Sequence, residues 1–297
     1  MGRSFASILD GLNIRGYLRF IPAKMWINHC YKSSFGRKPN LKEPKTFTEK
    51  LQWMKLYYHD PLYTELVDKH LVKKHIADKI GEEYIIPTLG VWERFDDIDF
   101  DSLPDQFVLK CNHDSGGLIV CRDKATLDIA AARRKINKCL KRNFYWHCRE
   151  WVYKDIKPLI IAEKYMEDPK TSELRDYKFF SFDGEVKALF IASDRQTPGE
   201  ETKFDFFDAE FNHLPFTNGH PNAKILPEKP ECFEQMKELA AKLSKGFPQV
   251  RVDFYEVNGK VYFGEMTFAH WSGLKPFDPE EWDLTFGQWM QLPPPNV

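Results

Sequence analysis

Residues 250–267 of this 297-residue chain dictate one local structure more firmly than any other stretch. They run Val-Arg-Val-Asp-Phe-Tyr-Glu-Val, then Asn-Gly, then Lys-Val-Tyr-Phe-Gly-Glu-Met-Thr. Two apolar, aromatic runs flank an Asn-Gly pair, whose tolerance of positive φ suits the tight turn that twisted strands prefer. The reading is a β-hairpin: Val250 to Glu256, a turn around Asn258-Gly259, and a return to Met266. Side chains alternate along a strand, so Arg251 and Asp253 share one face, with Val252 and Phe254 opposite. Register decides what they meet. A three-residue loop, Asn258 to Lys260, sets Glu265 opposite Asp253 and Thr267 opposite Arg251. A two-residue turn puts the two acids on opposite faces unless a bulge restores the phase. In the favourable register two carboxylates, a guanidinium and a hydroxyl converge. Asp253, Glu265 and Thr267 then form a hard-oxygen set suited to Mg²⁺, which one or two carboxylates hold together with nucleotide phosphates. The alternative is a solvated face with an ion pair worth about 0.2–1 kcal/mol. The apolar, aromatic strands weaken it, because their acidic face loses burial without compensation.

The rest of the chain alternates helices and strands without long parallel βαβ runs, so the expected class is α+β. Residues 1–82 read as helical. Thr46-Phe-Thr-Glu49 has the form of a capping box before Leu51, Trp53, Met54 and Leu56. A second helix is expected over Pro61–Ile80, with Lys69 and Lys73 on one face at i, i+4, a spacing that commonly means only solvent exposure. Beyond Gly81 short strands are expected at Tyr84–Ile86, Leu89–Trp92, Phe107–Cys111, Leu118–Cys121 and Leu159–Ala162. Thr126–Cys148 reads as helical, Tyr177–Ala192 as a hairpin turning at Asp183-Gly184, and Glu231–Lys245 as an amphipathic helix. The expected divisions are 1–82, 83–166 and 167–297.

Two further stretches bear on chemistry. Phe107-Val-Leu-Lys110-Cys-Asn-His113-Asp114-Ser115-Gly116-Gly117 carries one lysine on an apolar strand into a small, glycine-rich turn. Backbone N–H groups freed by glycine and a lysine point charge make a phosphate cradle; an ordinary hairpin with an exposed lysine is the plainer reading. No Gly-Lys-Ser/Thr opens a helix here, so this is not a Walker A loop. The strand ending Glu163-Lys164-Tyr165-Met166 has the form of a hinge whose backbone could read an adenine edge, with Glu163 taking the exocyclic amine; a helix-capping or linker role is the plainer reading. Lys178 and Arg195 are candidates to meet an anionic substrate, His113 a candidate base, and His270 with Trp271 a candidate substrate wall.

Composition excludes more than it selects. A formal net charge of −1 gives no global field for nucleic acid. No stretch approaches the ~20 apolar residues of a membrane span. Met1–Met25 carries Arg15, Arg19 and Lys24 within its apolar runs, unlike a signal peptide. The six cysteines show no CxxC pair or regular spacing, so they read as reduced thiols and the expected compartment is the cytoplasm.

Taken together, the chain resembles the TupA-like family of the ATP-grasp superfamily, associated with teichuronopeptide and capsule polysaccharide synthesis. The resemblance rests on Lys110-Cys-Asn-His-Asp-Ser-Gly-Gly117, Asp176-Tyr-Lys-Phe-Phe180, Asp194-Arg195, Arg251-Val-Asp253 and Phe263-Gly-Glu-Met-Thr267, and it covers about Lys42 to Leu292. It implies two α+β subdomains clasping ATP behind a helical N-terminal region. It also implies amide formation through an acyl phosphate, joining an amino acid or small amine to the carboxylate of a uronic acid or nucleotide-linked uronate. Under it Lys69, Lys110 and the Asp114–Gly117 loop bind phosphates, Glu163–Met166 hold adenine, Asp253 and Glu265 hold Mg²⁺, and Arg251 steadies the transferring phosphoryl group. Many ATP-grasp ligases end this motif Glu-x-Asn, where this chain has Glu265-Met-Thr267. Two rivals are a glycosyltransferase using a nucleotide sugar, against which a tight Asp-x-Asp is missing although Asp205 and Asp208 come near it, and an ATP-binding scaffold without activity. Asp253→Ala and Glu265→Ala are both expected to abolish turnover and to melt close to wild type.

Overall fold

The computed structural model describes residues 11–13, 16–114, 116–168, 174–195 and 199–297. Its strands form two antiparallel sheets. The small sheet has the order β1-β4-β2-β3, from β1 (Thr88–Trp92), β2 (Phe107–Cys111), β3 (Leu118–Cys121) and β4 (Ile160–Lys164). The large sheet has the order β10-β9-β5-β6-β7-β8, from β5 (Asp176–Phe182), β6 (Glu185–Ser193), β7 (Lys203–Asp208), β8 (His213–Leu214), β9 (Val250–Val257) and β10 (Lys260–Thr267). Helices α1 (Ala23–Phe35), α2 (Phe47–Tyr57), α3 (Pro61–Val67), α4 (Val72–Ile80), α5 (Ile129–Leu140), α6 (Tyr145–Cys148), α7 (Phe233–Ser244) and α8 (Glu281–Trp289) pack around them. Among the described residues no helix is long and apolar enough to cross a membrane.

Strand alternation sorts the core. On the large sheet Phe179, Val252 and Phe254 meet α3, α4 and α7 in one cluster, while Phe180, Phe182, Phe190 and Phe206 meet α2 and α8 in another. The small sheet turns Phe107, Leu109, Cys111 and Ala162 to the buried side of α5. Helices α2, α3 and α4 therefore belong to the cores of the large sheet.

Thr46 caps α2 in a full capping box with Glu49. Helices α2 and α8 are joined there: Thr48 donates to Asp283 through N–H (2.8 Å) and Oγ1 (2.6 Å), and Lys50 Nζ donates to Gly287 O and Met290 O. Backbone packs on backbone at Gly287, where a Cβ would collide with Lys45 O and stand 2.9 Å from Phe47 N. Gly287→Ala is expected to cost about 3 kcal/mol, because neither neighbour is a movable side chain. Chemical denaturation checks this; an unchanged midpoint would show that the two helices part freely.

Three expectations are corrected. The helix over Pro61–Ile80 is two helices, broken at Asp68, whose Oδ1 accepts from the N–H groups of His70 (2.8 Å) and Leu71 (3.2 Å). Tyr84–Ile86 is not a strand; a 3₁₀ turn covers Glu82–Tyr84. Lys203–Asp208, not anticipated, is a strand that extends the large sheet. The Thr126–Cys148 stretch is also divided, into a 3₁₀ turn, α5 and α6.

Candidate active site between the two sheets

The turn of the C-terminal hairpin is the two-residue one, Asn258 (φ 53°) and Gly259 (φ 69°), with Val257 paired to Lys260. A register shift between Phe263 and Glu265 then puts Glu265 opposite Asp253 and Thr267 opposite Arg251. The phase is restored by a bulge at Gly264. Backbone crowds that position: a Cβ on Gly264 would lie 3.1 Å from Asp253 O and 3.2 Å from the Tyr255 ring.

The acids so aligned sit in a buried charge network. Asp253 is 0 % exposed and accepts both Nε and Nη2 of Arg251, at 2.7 Å each, the bidentate fork that a planar guanidinium provides. Lys178 also pairs with Asp253, and with Asp176 at 3.0 Å; Arg195, half exposed, pairs with Asp176. Arg251 Nη2 reaches Glu265 Oε1 (2.9 Å) and Thr267 Oγ1 (3.0 Å), and its Nη1 donates to His270 Nδ1 (2.8 Å). His270 therefore carries its proton on Nε2 and donates it to Asn218 Oδ1 (3.0 Å). Burial pushes the Glu265 carboxyl up, yet Lys178, Lys69 and Arg251 outweigh it and hold the group well below the usual carboxylate range. Lys69 acts on Glu265 from the far side of the cleft, so the two sheets share one electrostatic field.

On the small sheet Lys110 Nζ and Lys73 Nζ each lie 2.6 Å from Glu163, whose side chain is buried. Lys69 Nζ donates to Asp114 O (3.2 Å). The break at Asp68 places it: Asp68 Oδ2 accepts from Asn112 Nδ2 (2.7 Å), the Lys69 N–H donates to Asn112 O (3.2 Å), and Asn112 Oδ1 accepts from the Leu159 N–H (2.7 Å). Asn112 thus ties the α3–α4 turn to the end of β2 and the start of β4.

One cleft of about 370 Å³ joins these parts, within the range of small-ligand sites. It is lined by Lys69, Lys110, Asp114, Gly117, Glu163, Lys164, Tyr165 and Met166 on one side and by Asp176, Lys178, Arg195, Gly264 and Glu265 on the other. Gly116 adjoins, its N–H donating to Asp114 Oδ1. Ser115 lies outside the described residues. Asp253, Arg251 and Thr267 stand behind Glu265 rather than on the lining, so Thr267 orients Arg251 and Glu265 from the rear. The Lys164 N–H is taken by Pro87 O (3.0 Å) and is not free to meet a ligand. Glu163, expected to take an adenine amine, instead commits its carboxylate to two lysines. His113 is buried against Asn112 Oδ1 and Cys139 O, away from the lining. Asp205 is 0 % exposed within β7, and Asp208 accepts from the N–H groups of Glu210 and Asn212. Neither lines the cleft.

Sequence reading missed Asn112, Arg122 and Tyr255, as well as the apolar floor of Val108, Leu118 and Val120, and it took Lys73, paired with Lys69 at i, i+4, for a spacing that commonly means only solvent exposure. The floor was available from alternation, since Val108 shares a strand face with Lys110. The contacts of Lys73 and Asn112 depend on partners far along the chain.

The Glu163 pairing gives a pH test. Burial pushes this carboxyl up, but Lys110 and Lys73 overcome it and hold it below its ordinary value. A carboxylate depressed on folding stabilises the protein above its unfolded pKa of about 4.3 and loses that contribution as pH falls through the folded value. Glu163→Gln should therefore cost about 2 kcal/mol at pH 7 and converge on wild type in acid. Unfolding measured from pH 7 to pH 3 checks this; a gap that persists in acid would put the stabilisation elsewhere.

Asp253 and Glu265 are the residues that could hold a divalent cation. Asp253 and Glu265 lie carboxyl to carboxyl, and burial together with the Glu265 charge pushes Asp253 up against the pull of Arg251 and Lys178. The two adjacent acids offer only hard oxygens; Glu265 opens on the cleft, while the Asp253 oxygens are taken by Arg251 and Lys178, so Asp253 would exchange one of those partners for the ion. Among the described residues no group of three or more His, Cys, Asp and Glu side chains has metal-binding placement. Such a cation would therefore depend on ligand oxygens as well as protein.

A family model described as TupA-like ATP-grasp matches residues 49–291. No curated protein matches the chain. Among solved structures, D-alanine–D-alanine ligase from Bacillus anthracis with ATP is similar at a TM-score of 0.40 and 17 % identity, over 69 % of this chain and 55 % of that one. The L-amino acid ligase of Bacillus licheniformis gives 0.47 and 13 %, over 76 % and 49 %. D-cycloserine synthetase DcsG gives 0.43 and 16 %, over 77 % and 70 %. The chain spans little more than half the length of the first of these.

Proposed function

Since the chain belongs to the TupA-like ATP-grasp family and has its α+β fold, we propose that it is an ATP-dependent carboxylate–amine ligase. In this reading a substrate carboxylate accepts the γ-phosphoryl group of ATP, and an amine then displaces phosphate from the acyl phosphate to form an amide. The substrates we assign are a uronic-acid carboxylate, free or nucleotide-linked, and an amino acid or small amine, in surface-polysaccharide synthesis. The observation that carries the reading is the single cleft on which Lys69 and Lys110 from one side and Lys178, Arg195 and Glu265 from the other converge.

Phosphoryl transfer asks a protein for position and charge more than for covalent work. Lys69 and Lys110 are assigned to phosphate oxygens, and Glu163 fixes Lys110 in an orientation that a free lysine would lose entropy to reach. The apolar side chains of Val108, Leu118 and Val120, with Tyr165 and Met166 on the same lining, are assigned to a purine. Mg²⁺ held by Asp253 and Glu265 would neutralise charge on the phosphates. Arg251, held by Asp253, Thr267 and His270, is pre-aimed with little freedom left to lose. Lys178 and Arg195 are the cations nearest an incoming carboxylate.

The test is an ADP-release screen that crosses UDP-uronates with amino acids and amino alcohols. ADP and phosphate should appear only when both a carboxylate and an amine are present. Stabilisation by ATP–Mg²⁺ in thermal unfolding is expected; stabilisation by UDP-sugars with none by ATP–Mg²⁺ would favour the glycosyltransferase, and ATP binding with no turnover across the panel the inactive scaffold.

A further inference from the structure

Charge is distributed unevenly along this chain. Residues 16–45 hold seven basic side chains and one acidic one, in a protein whose formal net charge is −1. The same stretch carries the two most exposed large aromatic side chains among the described residues, Phe20 (80 % exposed) and Tyr17 (67 %), together with Met25 (62 %). Isolated exposed apolar groups need no explanation, but several together beside basic charge do.

These side chains project from a fixed platform. Arg149, 1 % exposed, lies over the rings of Trp26, Tyr145 and Trp146 and donates to Asn13 Oδ1 (3.2 Å) and Leu18 O (3.5 Å). Trp26 Nε1 donates to His147 O (2.8 Å), and Tyr31 OH bonds Thr48 Oγ1 (3.0 Å). The inner face of α1 and the turn before it are thus pinned to the body, and Tyr17, Phe20 and Met25 stand outward because the fold holds them there. Two exposed cations alternate with them along the chain: Arg19, 5.0 Å over the Trp146 ring, and Lys24, 5.8 Å from the Tyr57 ring.

Large apolar tips set among cations on a rigid surface complement one kind of partner, an interface that is oily a few ångströms below a layer of negative charge. We propose that the face built from Tyr17, Arg19, Phe20, Lys24 and Met25 docks the protein on an anionic phospholipid membrane. The aromatic and methionine tips enter the headgroup region, where amphipathic rings settle, and the cations meet lipid phosphates. The docking goes beyond the ligase reading and does not depend on it, since it involves no nucleotide.

The experiment is co-sedimentation of the full chain with vesicles of phosphatidylcholine alone or of phosphatidylcholine and phosphatidylglycerol in equal parts. Partition to the anionic vesicles should exceed that to the neutral ones by about tenfold or more and should fall as salt shortens the range of the attraction. The double charge reversal Arg19→Glu with Lys24→Glu should lower anionic binding by at least about 25-fold, some fivefold for each cation lost. Tyr17→Ser with Phe20→Ser should lower it by about tenfold or more while keeping the salt dependence. Unfolding midpoints equal to wild type confirm that both variants fold. Equal binding to both vesicle types, absence of binding, or variants that bind like wild type would each overturn the proposal. So would light scattering that shows a wild-type dimer lost in both variants, which would make the face a contact between two copies of the chain.

Discussion

Glu265→Gln is expected to lower ADP release by about 10²–10³-fold with an unfolding midpoint within about 2–4 °C of wild type. The carboxylate is the acid that opens on the cleft, with its side chain 39 % exposed, and its hydrogen bond to Arg251 Nη2 needs only an acceptor oxygen. Glutamine keeps that oxygen and the shape of the side chain. What it removes is a negative charge that Lys178, Lys69 and Arg251 hold firmly ionised. Steady-state turnover and thermal unfolding on the same preparation check the result. An active variant would take Glu265 out of the chemistry.

Asp253→Ala should behave differently, abolishing turnover and also costing about 3–5 kcal/mol of stability. From alternation alone, Asp253 and Glu265 stand as equals on one hairpin face, and both alanine variants are expected to melt near wild type. Burial separates them. Asp253 is 0 % exposed and faces Arg251 and Lys178 at once, so its removal leaves two cations in a site with almost no water to solvate them. For a chain of this size the midpoint should fall by roughly 10 °C. Asp253→Asn, which keeps an acceptor for one nitrogen of Arg251, should recover part of the stability and none of the activity. If Asp253→Ala melted like wild type, the buried pairing described here would be wrong.

The contrast also marks what could be read in advance. The hairpin, its Asn258-Gly259 turn and the shared face of Arg251 and Asp253 follow from local rules, because alternation and turn chemistry act over a few residues. The alignment of Glu265 with Asp253 stayed open between a longer loop and a bulge, and the structure takes the bulge, at a glycine where a Cβ would sit tightly against Asp253 O. The break at Asp68 was hidden for another reason. The apolar spacing of a helix runs through it, and the turn is held by Asn112, 44 residues further on. Lys73 looked like a surface lysine because nothing near it in sequence shows that Glu163 waits opposite. Local order was legible; partners that only the fold brings together were not. The placement of the charged groups around one cleft, on which the ligase reading rests, is a contact of the second kind.

The most direct test of that reading is a crystal structure with a non-hydrolysable ATP analogue and Mn²⁺, whose anomalous signal locates the ion. The account predicts a peak in inner-sphere contact with carboxylate oxygens of both Asp253 and Glu265 and with the nucleotide phosphates, and Lys69 and Lys110 on oxygens of the same triphosphate. A nucleotide bound outside the cleft, or an ion that touches neither acid, would contradict it.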